Sequence, residues 1–353
     1  MPEKIKVAVV GVGDFGRHHV RLYRELEGAE LVGVFDTNAE RAQAVAKEFG
    51  TRALDSLAAV AEAAQAVSVA VPTRDHARVG GELLQRGCDV LVEKPISATL
   101  AEADELIGAA EQAGRILQVG HTERFNPAVQ AAAKVVTQPL FFEVHRLGVF
   151  SGRSLDVDVV FDVMIHDLDI LLTFVGAPVD GVHAVGIPIL SPKVDIASVR
   201  LEFANGCVAN LTASRVSTEK VRKLRFFQSR AYVSLDFSRQ DVLMISLNEK
   251  LRASAFPGLL ATEGVPESGV PESGLPAGLE IRKLETAPEE PLRAELRVFL
   301  EAVRTRQSRP VTGREGRRAL ELAGRVAAGI AEHARKLPAT TAARPETSGA
   351  GLG

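Results

Sequence analysis

The sequence predicts an α/β protein: a doubly wound parallel sheet at the N-terminus, then an α+β region with a large, mostly antiparallel open sheet. Three observations predict it. Over residues 1–122 short β-branched runs alternate with helical patterns, the signature of βαβ units covered on both faces. The glycine-rich turn Gly11-Val12-Gly13-Asp14-Phe15-Gly16 joins the first run to the first helix. Beyond residue 122 alternating strands dominate, interrupted by one long helical segment.

Taken in order, the strands of the first region are Ile5 to Val10, Glu30 to Asp36, Ala66 to Val71, Val90 to Glu93 and Ile116 to Gly120. Helices lie between them at Phe15 to Leu26, Ala39 to Phe49, Ser56 to Ala63, Asp75 to Arg86 and Ala101 to Ala113. Gly28, Gly50, Gly87 and Gly114 stand where a helix would stop, because a residue without Cβ enters the left-handed conformation freely.

After Asn126-Pro127 a short helix leads to candidate strands Leu140 to Arg146, Val182 to Ile189, Ser198 to Phe203, Cys207 to Ser214, Val221 to Gln228, Ala231 to Phe237 and Asp241 to Leu247. Asn205-Gly206 predicts a two-residue hairpin between two of them. The interrupting helix runs from Val160 to Val175 and buries Val163, Ile170, Leu171 and Phe174. Gly, Pro, Ser and Glu crowd residues 254–291, including VPESG twice in tandem from Val265, which predicts a flexible excursion. Helices return at Leu292 to Val303 and Arg314 to Lys336, and the tail 337–353 is expected to be disordered. The expected domains are therefore 1–122, then 123–336 for substrate and oligomer contacts.

Composition removes several function classes. The 353 residues carry 42 Lys and Arg against 45 Asp and Glu, a net charge of −3, and no basic block argues for nucleic acid. Aromatics are 5% and Trp is absent, too few rings for a base-stacking platform. Two distant cysteines, Cys88 and Cys207, make neither a disulfide framework nor a metal site. The apolar run Val7 to Val10 is too short for a signal peptide, and Asp158, Asp162, His166, Asp167 and Asp169 break up Val157 to Val175 as a membrane span. A cytoplasmic protein is expected.

The chemistry begins at Gly11 to Gly16, a GxGxxG of the Rossmann dinucleotide-binding type, where bare backbone lets a pyrophosphate reach a helix N-terminus. Gly11, Gly13, Asp14, Phe15 and Gly16 are thus the cofactor candidates. Asp36 follows twenty residues after Gly16, where a carboxylate accepts from the ribose hydroxyls and repels a 2′-phosphate, favouring NAD over NADP. Arg41 nearby counts the other way, and Asp36 is equally placed to cap the helix that follows. Glu93-Lys94-Pro95 closes a strand at the carboxyl edge of the sheet, where such folds bind ligands. Lys94 is either an acid-base group there or an exposed strand-end lysine. Asp162, His166 and Asp169 share one helix face, which suits a proton relay or a core histidine satisfied by aspartate.

In this order the motifs resemble the Gfo/Idh/MocA oxidoreductase family. The resemblance rests on GVGDFG, the Pro72-Thr73 to His76 stretch, EKP at Glu93 to Pro95, RFNP at Arg124 to Pro127 and DVMIHDLD at Asp162 to Asp169. It implies that Lys94, Asp162 and His166 are catalytic and that Thr73 and His76 lie beside the nicotinamide ribose. It also implies that Glu93 and Lys94 help place the cofactor and that Arg124 and Asn126 face the cleft. Met164 departs from the family pattern, which has Gly there, and is expected to narrow the pocket or shift the helix start. HTERFNP, HRLGVFSGR and GCVANLTASR look most like the branch that oxidises the 3-hydroxyl of UDP-N-acetylglucosamine, whose keto product a PLP aminotransferase takes toward lipid A or related envelope sugars. Arg146, Arg153 and Arg215 are then candidate diphosphate contacts. An inositol or free-sugar dehydrogenase and a non-catalytic NAD-sensing module are the rival readings. The open sheet also predicts a homodimer or homotetramer formed sheet to sheet.

Overall fold

The computed structural model describes residues 3–150, 157–247, 279–307 and 310–336. Arg153, the VPESG repeat and the tail lie outside the described residues.

Strands β1 (Ile5–Val10), β2 (Ala29–Phe35), β3 (Ala66–Val69), β4 (Asp89–Glu93) and β5 (Leu117–Gly120) form a parallel sheet in the order β2-β1-β3-β4-β5. Their continuous apolar character follows from burial on both faces, which βαβ crossovers impose. Helices α1 (Asp14–Glu25), α2 (Ala39–Phe49), α3 (Leu57–Ala63), α4 (His76–Gln85) and α5 (Leu100–Ala113) make those crossovers. The punctuation works locally: Gly50 and Gly114 close α2 and α5 at φ 64° and 60°, and Thr99 with Glu102 forms a capping box at the start of α5. Helix α1 instead ends on Leu26 in extended conformation, so Gly28 is not its stop.

The second sheet contains β6 (Pro139–Leu147), β7 (Val179–Ile187), β8 (Ile196–Phe203), β9 (Val208–Ser214), β10 (Val221–Gln228), β11 (Ala231–Asp236), β12 (Asp241–Leu247) and β13 (Leu279–Lys283). Their order is β13-β12-β11-β10-β6-β9-β8-β7, parallel between β6 and β9 and otherwise antiparallel. Strand β13 corrects the expected flexible excursion: its alternating Leu279, Ile281 and Lys283 pair with β12 at the sheet edge. The Asn205-Gly206 hairpin has a three-residue loop, because Phe203 N–H reaches Cys207 O at 2.9 Å and Gly206 takes φ 84°.

Helices α6 (Pro127–Ala133), α7 (Ile165–Val175) and α9 (Gly313–Ala334) cover one face of this sheet, enclosing Phe142, Leu168, Leu171, Leu201, Phe226 and Val326. Helix α8 (Pro291–Thr305) returns to the first sheet, packing Leu296 and Phe299 against Leu22, Tyr23 and Leu91. Helix α9 also lies on β5, so closely that a Cβ on Gly316 would stand 2.6 Å from the Val119 side chain. The last two helices thus join both sheets and bring the carboxyl ends of β1 to β5 up to α7 and the start of β10.

Candidate active site

Sheet order reverses between β1 and β3, and the crevice at such a switch point is where open α/β sheets take ligands. A cavity of about 520 Å³ lies there, lined by Gly11, Gly13, Asp14, Phe15, Asp36 and Arg41 among others. The three glycines do different work. A Cβ on Gly11 would meet Ala70 O at 2.6 Å, and one on Gly16 would meet Gly11 O at 1.9 Å, so both serve backbone packing. At Gly13 the nearest atom is Arg41 Nη1 at 3.9 Å, which leaves open the space above the uncapped N-terminus of α1. That cradle fits a pyrophosphate.

Asp36 does not cap α2; Asn38 does, accepting from Arg41 N–H. The Asp36 carboxylate accepts from Val12 N–H and Asn38 N–H, both at 2.9 Å, and so holds the glycine turn while facing the cavity. Arg41 Nη1 stands 3.5 Å from it. His76 differs from its expected place beside the ribose: it is buried, and its two ring nitrogens lie 2.8 and 2.9 Å from Pro95 O and Val71 O. It ties together the loops after β3 and β4. Thr73 opens the short turn Thr73–Asp75, half-buried beside the cavity-lining Pro72 and Arg74.

Phe15 also lines a second cavity, of about 420 Å³, with Glu93, Lys94, Asn126, His166 and Arg222. Lys94 Nζ donates to Asp162 O at 2.6 Å and approaches Asp162 Oδ1 at 3.3 Å. Asp162 belongs to a π-turn, Val160–Met164, that precedes α7; such wide turns recur at functional sites. Helical periodicity alone does not reveal it. Met164 is fully buried in the core against the second sheet, so it does not narrow the cleft, whereas the α-helix does start later, at Ile165. Burial first, and then the positive charges of Lys94 and Arg146, push the His166 imidazole well below its ordinary pKa. It is therefore neutral near pH 7 and able to accept a proton.

Neither Asp162 nor Asp169 lines that second cavity: Asp162 meets it through Lys94, whereas Asp169 is buried away from Lys94. Its carboxylate pairs bidentately with buried Arg124 at 2.7 and 2.9 Å, and Arg146 clasps Asp167 in the same way, with both bonds at 2.7 or 2.8 Å. Arg146 also donates to Glu123 and lies 4.7 Å from the Phe237 ring centre. Arg215 donates to buried Asp195. Buried guanidinium groups must be paired, so Arg124 braces the fold, and Arg146 and Arg215, the described candidates for diphosphate contact, have carboxylates of the chain closed on them. Asn126 caps α6 and donates to Glu123 and Phe237 O, fixing one wall of the cleft.

Residue spacing did not single out Arg222, His121 or Glu295. Arg222 lines the cleft with its side chain 43% exposed, and the nearest carboxylate oxygen, on Glu123, is 3.8 Å away. Alternation along β10 puts it on the inner face with Leu224 and Phe226, a signal that only the end of the strand distinguishes. Glu295, fully buried on α8, accepts from Thr122 Oγ1 at 2.8 Å. Among the described residues no group of three or more His, Cys, Asp or Glu is arranged to hold a metal ion.

A glycine cradle at a switch point, joined through Phe15 to a cleft holding a lysine, a carboxylate and a neutral histidine, defines a nicotinamide-dependent oxidoreductase. The chain belongs to the Gfo/Idh/MocA family: residues 5–121 match its oxidoreductase model with an NAD-binding Rossmann fold, and residues 146–234 match a GFO/IDH/MocA C-terminal domain. It is 38% identical over 321 residues to UDP-N-acetylglucosamine 3-dehydrogenase of Acidithiobacillus ferrooxidans, covering 90% of this chain and 95% of that one. D-apiose dehydrogenase of Paraburkholderia graminis is 28% identical, with 75% and 76% covered. A solved structure of the Acidithiobacillus ferrooxidans enzyme superposes with a TM-score of 0.82 at 36% identity, covering 93% of this chain and 98% of that one. No described helix is long and apolar enough to cross a membrane.

Proposed function

We propose that this oxidoreductase is an NAD-dependent UDP-N-acetylglucosamine 3-dehydrogenase, with Lys94, Asp162 and His166 as its catalytic residues. The observation that carries the reading is Lys94 Nζ held 2.6 Å from Asp162 O in the cleft that neutral His166 lines. A bound nicotinamide would supply the acceptor for the hydride of the carbinol carbon. Lys94 and Asp162 orient the reacting hydroxyl, and His166 takes its proton. Gly13 leaves room for the pyrophosphate in a turn whose tight packing Gly11 and Gly16 allow, and Phe15 marks the passage from cofactor to substrate. The Asp36 carboxylate supports NAD over NADP, with Arg41 3.5 Å from it.

The substrate assignment is supported by the 38% identical relative of that name and by Arg222, a cation presented to the cleft and suited to a diphosphate. A 3-keto sugar is a substrate for amination, so a PLP aminotransferase is the expected next enzyme, supplying amide-linked lipid A or related envelope sugars in the cytoplasm. The outer face of the second sheet supports a homodimer or homotetramer, since Phe141, Phe227 and Tyr232 stack across it with Leu243 and Ile281 exposed on the strands beyond Tyr232. Light scattering of Phe227→Glu tests that interface. The activity is tested by reduced-nicotinamide absorbance on mixing protein, NAD or NADP, and UDP-N-acetylglucosamine, inositol or glucose, with glutamate and an aminotransferase to draw off ketone. Signal with the UDP sugar alone, lost in Lys94→Ala, supports the reading. Turnover of inositol or glucose instead sinks the substrate assignment.

A further inference from the structure

Buried polar atoms in native proteins are almost all hydrogen-bonded, so a cluster of exceptions calls for a reason. Among the described residues, the buried side-chain atoms without a partner are His19 Nδ1, both amide atoms of Gln118, both nitrogens of His121, His166 Nδ1, Glu295 Oε1 and His333 Nδ1. All but the last belong to β5, the residue after it, or the elements packed around that end of the sheet. Gln118 is on β5 and His121 directly follows it. His19 on α1 contacts Glu93 Oε1 at 3.0 Å, Glu295 on α8 is bound by Thr122, and the His166 ring on α7 stands edge-on to His121 with centroids 6.3 Å apart. His76 supplies the contrast: a histidine of structural use, with a carbonyl oxygen at each ring nitrogen.

We propose that His121 is the second imidazole of a proton route from His166 to Glu93, carrying the hydroxyl proton away on the inner side of the cleft while substrate fills its mouth. The route rests on His166 being the base of the proposed reaction. Nδ1 of His166 is the buried nitrogen, which leaves Nε2 for the cleft the side chain lines. As the substrate O–H bond breaks, an N–H bond forms at His166 Nε2. The Nδ1–H bond then breaks as an N–H bond forms on His121, directly or across one water. Neither His121 nitrogen reaches Glu93 directly, so the opposite N–H bond of His121 breaks as an O–H bond forms on a bridging water, and an O–H bond of that water breaks as one forms on the Glu93 carboxylate. Each ring gains one proton and loses one, and the hydride travels separately.

The surroundings favour that direction. Burial lowers the affinity of both rings for a proton; at His121, Arg124 and Lys94 oppose the charge while Asp169 and Glu93 draw it in. Neither ring retains the proton, and Glu93, in contact with His19 and lying at the cleft edge with 7% exposure, returns it to solvent once the cleft empties.

The test uses the full chain. Histidine-selective 15N NMR of the wild type reads the tautomer of His166 without any substrate: the route requires the proton on Nδ1, and a proton on Nε2 overturns it. His121→Gln keeps a polar side chain that cannot relay, and His121→Ala leaves room for free imidazole. Both are expected to bind NADH as the wild type does, by fluorescence titration, which also reports folding. Their kcat on the sugar that the wild type oxidises is expected to fall about 100-fold, the scale of a lost proton transfer, with an unchanged KM and a larger solvent isotope effect. Imidazole should restore turnover to His121→Ala alone. A kcat within about twofold of wild type in His121→Gln, or a fall with neither imidazole rescue nor a changed isotope effect, overturns the route and leaves the dehydrogenase reading standing. Wild type that oxidises none of the sugars defeats that reading and the route with it.

Discussion

Arg222→Ala is expected to raise the KM for UDP-N-acetylglucosamine about tenfold with little change in kcat, and the factor follows from the local geometry. Glu123, the nearest carboxylate, stands 3.8 Å from the Arg222 guanidinium and already accepts from Arg146 at 2.7 Å, so Arg222 keeps most of its charge for a ligand. A hydrogen bond from such a group to a phosphate contributes about 1.5–3 kcal/mol. With its side chain 43% exposed, screening takes the value to the lower end, close to the roughly 1.4 kcal/mol that makes one factor of ten. The diphosphate is remote from the reacting carbon, so the contact acts equally on ground and transition states and appears in KM. Steady-state kinetics, with UDP as a competitive inhibitor, measure the effect twice, and rising salt should shrink the difference between wild type and variant. Values within about twofold of wild type for both constants, or an equal loss on a sugar without phosphate, would refute the reasoning.

Gly16→Ala forces a Cβ to within 1.9 Å of Gly11 O, backbone against side chain with nothing flexible to yield. It should cost about 1–3 kcal/mol of stability and weaken NADH binding at least about tenfold; unchanged fluorescence titration and thermal midpoint would contradict the cradle. Asp36→Ser removes the charge that repels a 2′-phosphate and also the acceptor for Val12 N–H, so NAD efficiency should fall while the NADP-to-NAD ratio of kcat/KM rises. An unmoved ratio would remove Asp36 from cofactor choice. Burial and the neighbouring Glu93 raise the Glu295 carboxyl well above its ordinary pKa. The native chain then holds a proton that the unfolded chain releases, so the stabilisation is complete below the ordinary carboxyl range. It falls by about 1.4 kcal/mol per pH unit as pH climbs toward the folded pKa. Glu295→Gln should flatten that fall, and thermal midpoints that run parallel for both proteins across the range would show otherwise.

Much of the first sheet was legible because its signals are local. Strand β1 and helix α2 have the bounds that periodicity predicts, and Asn38, Thr99 and Gly50 cap through contacts within a few residues. Strand β13 was hidden because five residues inside a Gly- and Pro-rich stretch carry too little pattern, and its pairing with β12 supplies the rest. The π-turn was hidden for another reason: Asp162 and His166 are spaced as on any α-helix, and the wider turn becomes visible only in its i+5 hydrogen bond from Ile165 N–H to Val160 O.

By itself the sequence determined the order of most elements, the glycine-rich turn and the candidacy of Lys94, Asp162 and His166, because each depends on residue type, near neighbours and the order of the motifs. Tertiary structure alone decided which charges are available to a ligand. Arg124, Arg146 and Arg215 look equivalent to Arg222 along the chain, yet Asp169, Asp167 and Asp195 close on the first three from distant positions and leave Arg222 facing the cleft. In the same way, only the packing of α1, α7 and α8 around β5 gathers His19, His121, His166 and Glu295 near Glu93. A buried charge needs a partner and an exposed one does not, and pairing across more than a few residues is fixed by the fold.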